Sequence, residues 1–128
     1  MNTYLTAAAT LAMIVGLVHS LLGERLVFSR MRQGQVVPTH GGNVLRQPHV
    51  RILWASWHVL TVLGWAIAGA LLLIASEPVH TALHSSLLHV VAVAMLASSA
   101  LVIYGTKARH PGWLGLLAVA VLTWLGTL

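Results

Sequence analysis

The stretch RILWASWHVLTVLGWAIAGALLLIAS, residues 51–76, decides the fold of this chain. After Arg51 it has no charged residue until Glu77. A helix rises about 1.5 Å per residue, so a run of this length crosses the roughly 30 Å hydrocarbon core of a bilayer. We therefore predict a transmembrane helix over residues 52–76.

Three further apolar runs surround this helix, at residues 4–22, 81–104 and 111–128. The 128 residues are 58% hydrophobic and 7% charged, which is too little charge for the surface of a soluble domain. No positive charge precedes the first run, so we interpret it as a retained helix rather than a signal peptide. The prediction is an all-α protein: one four-helix transmembrane bundle, antiparallel and up-down-up-down, over residues 1–128. Small residues are expected to line the helix contacts: Ala66, Ala70, Ala94 and Ser98.

The basic residues predict which way the chain crosses the membrane. A polar loop, residues 23–50, joins the first two helices, and a short loop joins the last two. An up-down path places both loops on one side, and they or their flanks contain all seven basic residues: Arg25, Arg30, Arg32, Arg46, Arg51, Lys107 and Arg109. The positive-inside rule makes this side cytoplasmic and puts both termini outside. The net charge of +5 is thereby explained without nucleic acid as a partner.

Several classes of site are excluded by composition. The chain has no cysteine, which rules out disulfides, thiolate metal sites and cysteine nucleophiles. It has no aspartate, so a Ser-His-Asp triad is absent, and it has no glycine-rich phosphate loop.

Histidines are the candidate functional residues, since there are eight of them. His58 shares one face of the second helix with four polar or aromatic residues: Arg51, Trp54, Thr61 and Trp65. An ionisable residue inside a membrane helix is costly and indicates function. The alternative is an interfacial anchor of aromatic and basic side chains.

A candidate metal site follows from topology. The predicted path brings His19, His58 and His110 to the same depth near the cytoplasmic face, and imidazole ligands suit zinc, iron or copper. Glu24 is the predicted catalytic residue, as a general base or further ligand, provided that the first helix breaks at Gly23. Arg51 and Trp54 are predicted to contribute to cofactor binding. The alternatives are an ion pair between Glu24 and an arginine (Arg25, Arg51 or Arg109), and a capping role for His110 at the fourth helix.

Three functions stay open at this point. The first is a metal-dependent protein, with an enzyme acting on a lipid-like substrate as one form of it. The second is a b-type haem electron carrier with His19 and His58 as axial ligands. The third is a non-catalytic scaffold or transporter, and a proton relay through the histidine and carboxylate cluster is a further alternative. Membrane lipids are the expected partners, and homo-oligomerisation is left open. A second, outer cluster is weaker: Glu77, His80, His84 and His89.

Three motifs carry a resemblance to a known group of proteins. They are VHSLLGERLVF (residues 18–28), RILWASWHVLTVLGW (residues 51–65) and HPGWLGLL (residues 110–117). The chain resembles a family of small, uncharacterised four-helix membrane proteins of bacteria over most of its length. The resemblance implies a multi-pass protein of the bacterial inner membrane and does not supply an activity.

Overall fold

The computed structural model of this protein describes residues 1–78 and 81–128. Within these residues the structure is all-helical, and it has no strand. The four α-helices are α1 (Thr3–Leu22), α2 (Gln47–Ser76), α3 (Ala82–Thr106) and α4 (Gly112–Leu125). The predicted four-helix, all-α class is confirmed, whereas the side of the membrane on which the termini lie stays a prediction.

Three segments among the described residues are long and apolar enough to cross a membrane: Thr3–Met31, Gln47–Ser76 and Ala82–Thr106. The chain is therefore suited to a bilayer, as its composition indicated. Helix α4 has 14 residues, which correspond to a rise of about 21 Å. The predicted fourth span thus requires a bilayer that thins locally around it.

The described residues form two compact units, one of Met1–Val15 with Gly64–Leu128 and one of Gly16–Leu63. In the first unit, α3 and α4 pack together, and alanines make up half of a core to which all four helices contribute. That core consists of Leu5, Ala8, Ala9, Ala12, Ala68, Leu71, Ile74, Ala75, Leu88 and Val119. The prediction that Ala66, Ala70 and Ala94 line helix contacts is wrong, because all three are exposed.

The second unit contains the end of α1, the polar loop and the start of α2. After Leu22 the backbone continues as a π-helical turn, Gly23–Val27, and then as a 3-10 turn, Phe28–Met31. Gly23 is buried, and a Cβ atom at this position would collide with the indole of Trp57. Phe28 is fully buried in this unit. The absence of a side chain at Gly23 therefore lets the turn approach α2 closely.

Candidate functional site

The carboxylate of Glu24 is the hub of a polar network in the second unit. Its Oε1 accepts a hydrogen bond from the indole nitrogen of Trp54 at 2.6 Å and lies 2.9 Å from Nε2 of His58. Its Oε2 accepts from the guanidinium of Arg32, with which it forms an ion pair. The indole and the guanidinium can only donate hydrogen bonds, so both oxygens of the Glu24 carboxylate act as acceptors.

The π-helical turn places Glu24 in this position. The sequence analysis required a break at Gly23, and the structure changes there from α-helix to π-helix. A π-helical turn alters the direction in which its side chains leave the helix, and such turns are frequent at functional sites. An ion pair for Glu24 was among the alternatives, and the structure shows Arg32 as the partner, which the sequence analysis did not name.

The other nitrogen of His58, Nδ1, is at one end of a chain of two hydroxyl groups, those of Ser20 and Thr61, which we call the hydroxyl chain. Nδ1 of His58 lies 2.8 Å from Oγ of Ser20, and that oxygen lies 2.8 Å from Oγ1 of Thr61. Thr61 in turn donates to the carbonyl oxygen of Gly16 at 3.1 Å. The imidazole therefore bridges a carboxylate on one side and a chain of hydroxyls on the other.

Aromatic rings surround the imidazole. The ring of Trp54 meets His58 edge-on, with centroids 5.1 Å apart, and the ring of Phe28 lies 6.2 Å away. Trp57 donates to the backbone carbonyl of His19 at 3.0 Å, and its ring stacks on the His19 ring at 4.4 Å. The side chains of His58 and Glu24 are 26% and 30% exposed. The rings thus restrict water around the pair without closing it off.

The predicted site residues divide between the two units. Glu24, Trp54 and His58 are joined directly by hydrogen bonds, as described above. Arg51 is exposed in the first turn of α2. His110 belongs to the first unit, is exposed, and accepts through Nδ1 from the backbone N–H of Gly112 at 3.1 Å. This contact at the start of α4 fits the capping role given above as an alternative.

No metal-binding group of three or more His, Cys, Asp or Glu side chains occurs within residues 1–78 and 81–128. Glu24 and His58 make a pair of such side chains. Both nitrogens of His58 have hydrogen-bonding partners, so coordination of a metal or haem iron through either one would break a contact. The metal site and the haem site therefore stay predictions that the described geometry does not support.

Comparison with family models, curated proteins and solved structures finds no match for this chain. The resemblance to small bacterial membrane proteins accordingly stays a prediction. A fold of four helices does not define an activity, so function has to be argued from the chemistry of the site.

Two histidines of the outer cluster, His84 and His89, lie in α3, and His89 also meets the ring of Trp124 in α4 edge-on, with centroids 5.0 Å apart. Thr81 and His84 form a capping box at the start of the helix, and Nδ1 of His89 lies 2.7 Å from the carbonyl oxygen of Ser85. His80 lies outside the described residues. His84 thus serves at the start of α3, and His89 contacts the backbone of its own helix.

The sequence analysis missed the roles of Ser20 and Arg32, and it named Thr61 without a role. One signal was available for Ser20, which follows His19 directly near the end of a helix that has no acidic residue, lysine or arginine. A hydroxyl in a membrane helix usually bonds to its own helix backbone or to a neighbouring helix. The partner itself depends on the rotation of α1, which the sequence does not give.

Proposed function

We propose that this chain is a proton-exchanging membrane protein in which His58, oriented by Glu24, takes up a proton and passes it on. The observation that carries the proposal is the imidazole of His58 between a carboxylate and a hydroxyl, at 2.9 Å and 2.8 Å. Histidine is the side chain best suited to exchange protons near neutral pH. The pair also lies in segments apolar enough to cross a membrane, where ionisable residues are expensive to retain.

Each member of the network has a distinct part in this function. Glu24 holds the ring by one nitrogen and offsets the positive charge that arises when His58 is protonated. Arg32 and Trp54 hold the carboxylate by its two oxygens, so it cannot swing away without losing both contacts. Phe28 and Trp54 limit the access of water from the sides of the ring. The arrangement favours transfer through defined positions over exchange with bulk solvent.

The membrane setting follows from the charges. The basic loop faces the cytoplasm, which is the orientation that the positive-inside rule supports. The resemblance to small bacterial membrane proteins favours the bacterial inner membrane as its location. The second unit contains one acidic residue, Glu24, which is already paired with Arg32. The other arginines of the unit are exposed and suit anionic lipid headgroups: Arg25, Arg30, Arg46 and Arg51.

A vesicle assay tests the function. The purified protein is reconstituted into vesicles that enclose a pH-sensitive dye, and a potassium gradient with valinomycin drives protons inward. We expect a proton flux above that of protein-free vesicles, and we expect His58→Gln to lower it at least about tenfold, because acid–base groups typically contribute more than that. His89→Gln is the matched control, since His89 contacts a carbonyl of its own helix and the ring of Trp124, and has no contact with the network around Glu24. A flux equal to that of empty vesicles, or equal in wild type and His58→Gln, would refute the proposal.

A further inference from the structure

The Nε2 side of His58 has a fixed proton. A neutral imidazole carries a hydrogen on one nitrogen and a lone pair on the other. Nε2 lies 2.9 Å from Oε1 of Glu24, and the donors Trp54 and Arg32 already approach the same carboxylate. A lone pair on Nε2 would face a lone pair on Oε1. Nε2 therefore carries its hydrogen whether His58 is neutral or charged.

Nδ1 is consequently the nitrogen whose protonation changes. When Nδ1 is bare, Ser20 donates to it, and the single hydrogen of Thr61 is divided between the Ser20 oxygen and the carbonyl of Gly16. When Nδ1 is protonated, it donates to Ser20, Ser20 donates to Thr61, and Thr61 donates to the carbonyl of Gly16. The charged form thus makes three hydrogen bonds along the chain, and the neutral form makes two.

Two charged groups face this ring in the second unit, and both act from the carboxylate side. Glu24 contacts the ring directly, and Arg32 contacts the far oxygen of Glu24. No charged group is bonded to the Nδ1 side among the described residues, where Ser20 and Thr61 lie. The hydroxyl chain is therefore the part of the network that responds when Nδ1 is protonated and His58 becomes charged.

We infer that His58 exchanges its proton at Nδ1 and that Ser20 and Thr61 are positioning residues whose hydroxyls reverse with each exchange. A hydronium ion supplies one proton to the lone pair of Nδ1, so an N–H bond forms, one O–H bond of hydronium breaks and a water molecule leaves. The hydroxyls of Ser20 and Thr61 rotate and keep their own hydrogens. The hydrogen bond from Thr61 in α2 to the Gly16 carbonyl in α1 then strengthens when His58 is charged, because Ser20 no longer competes for the hydrogen of Thr61. The inference rests on the proposed function and adds the atom that exchanges and the contact that responds.

Nuclear magnetic resonance of protein labelled with ¹⁵N and ¹³C, in lipid nanodiscs, tests this inference. The His58 signals are assigned by their loss in His58→Gln. At alkaline pH we expect a pyridine-type signal for Nδ1 and a pyrrole-type signal for Nε2. On acidification Nδ1 becomes protonated, Nε2 stays protonated, and the carbonyl ¹³C signal of Gly16 moves with the same midpoint.

Variants separate positioning from a purely structural role. Thr61→Val keeps the side-chain shape and removes the hydroxyl, so the Gly16 carbonyl should cease to follow the protonation of His58. In Glu24→Gln the side-chain amide can donate to Nε2. The ratio of the neutral tautomer with hydrogen on Nε2 to the one with hydrogen on Nδ1 should therefore fall at least about tenfold. Ser56→Ala is the matched control, since Ser56 is exposed in α2 and bonds to the carbonyl of Leu53. We expect no change in either readout for this control.

The inference is overturned if neutral wild-type His58 carries its hydrogen on Nδ1. It is also overturned if the Gly16 carbonyl does not respond to pH, or if it still responds in Thr61→Val. These results differ from a failure of the proposed function, which would be a missing proton flux while the tautomer and the carbonyl response remain as expected.

Discussion

Removing the carboxylate of Glu24 should destabilise the protein strongly. Glu24→Ala takes the acceptor from Trp54, His58 and Arg32 together. A buried donor left without a partner costs about 1–3 kcal/mol, but the side chains of Arg32 and His58 are each 26% exposed, and water replaces part of the loss. We expect the free energy of unfolding to fall by about 2–4 kcal/mol. Glu24→Gln keeps a carbonyl oxygen as acceptor and should lose about half as much.

Unfolding with sodium dodecyl sulfate in mixed micelles, followed by circular dichroism, measures this loss. The matched control is Glu77→Ala, which removes the other acidic residue of the chain. Glu77 is exposed just beyond the end of α2, so its replacement should change the free energy of unfolding by less than about 0.5 kcal/mol. Equal losses for Glu24→Ala and Glu77→Ala would show that the network around Glu24 does not stabilise the fold.

Three further predictions concern other parts of the account. Gly23→Ala should lower the free energy of unfolding by about 1–3 kcal/mol, because the added Cβ collides with Trp57, whereas Gly69→Ala adds a Cβ in open space and should be neutral or stabilising; equal effects would refute the close approach. Calorimetric titration of untagged protein with Zn²⁺ should give the same affinity for wild type and His110→Ala, while a loss of tenfold or more would favour the three-histidine metal site. Arg25→Gln should reduce the enrichment of anionic lipid around the purified protein, measured by mass spectrometry of co-purified lipids, and an unchanged lipid ratio would count against headgroup binding.

Hydrophobic runs predicted the helices well, and helix ends less well. Helix α2 begins at Gln47, five residues before the predicted start at residue 52, and it includes Pro48 and His49. Pro48 falls within residues 23–50, which were predicted to be a polar loop. Proline is tolerated in the first turn of a helix, where the N–H group that it lacks would have no intrahelical acceptor. A hydrophobic run therefore locates a membrane helix, but it does not reveal a first turn made of polar residues.

The sequence was enough to predict two central residues of the site, but it was not enough to predict which side chains contact each other. His58 and Glu24 were identified because an ionisable residue stands out in an apolar helix and a carboxylate is rare in this chain. Their direct contact joins residues that are 34 positions apart and depends on the π-helical turn after Leu22. An ideal α-helix would have turned Glu24 elsewhere, so helical spacing could not find this pair. The choice of Arg32 among several nearby arginines likewise depends on how the loop folds.

The contact between Glu24 and His58 is the central claim, and solid-state nuclear magnetic resonance in lipid bilayers tests it most directly. In a Glu77→Gln background Glu24 has the one side-chain carboxylate of the chain, and its ¹³C signal is identified by its loss in Glu24→Ala. The account predicts a strong dipolar coupling between this carbon and Nε2 of His58, in keeping with the 2.9 Å contact to Oε1. The coupling should disappear in His58→Gln. The absence of a coupling between the Glu24 carboxyl carbon and any imidazole nitrogen would contradict the account.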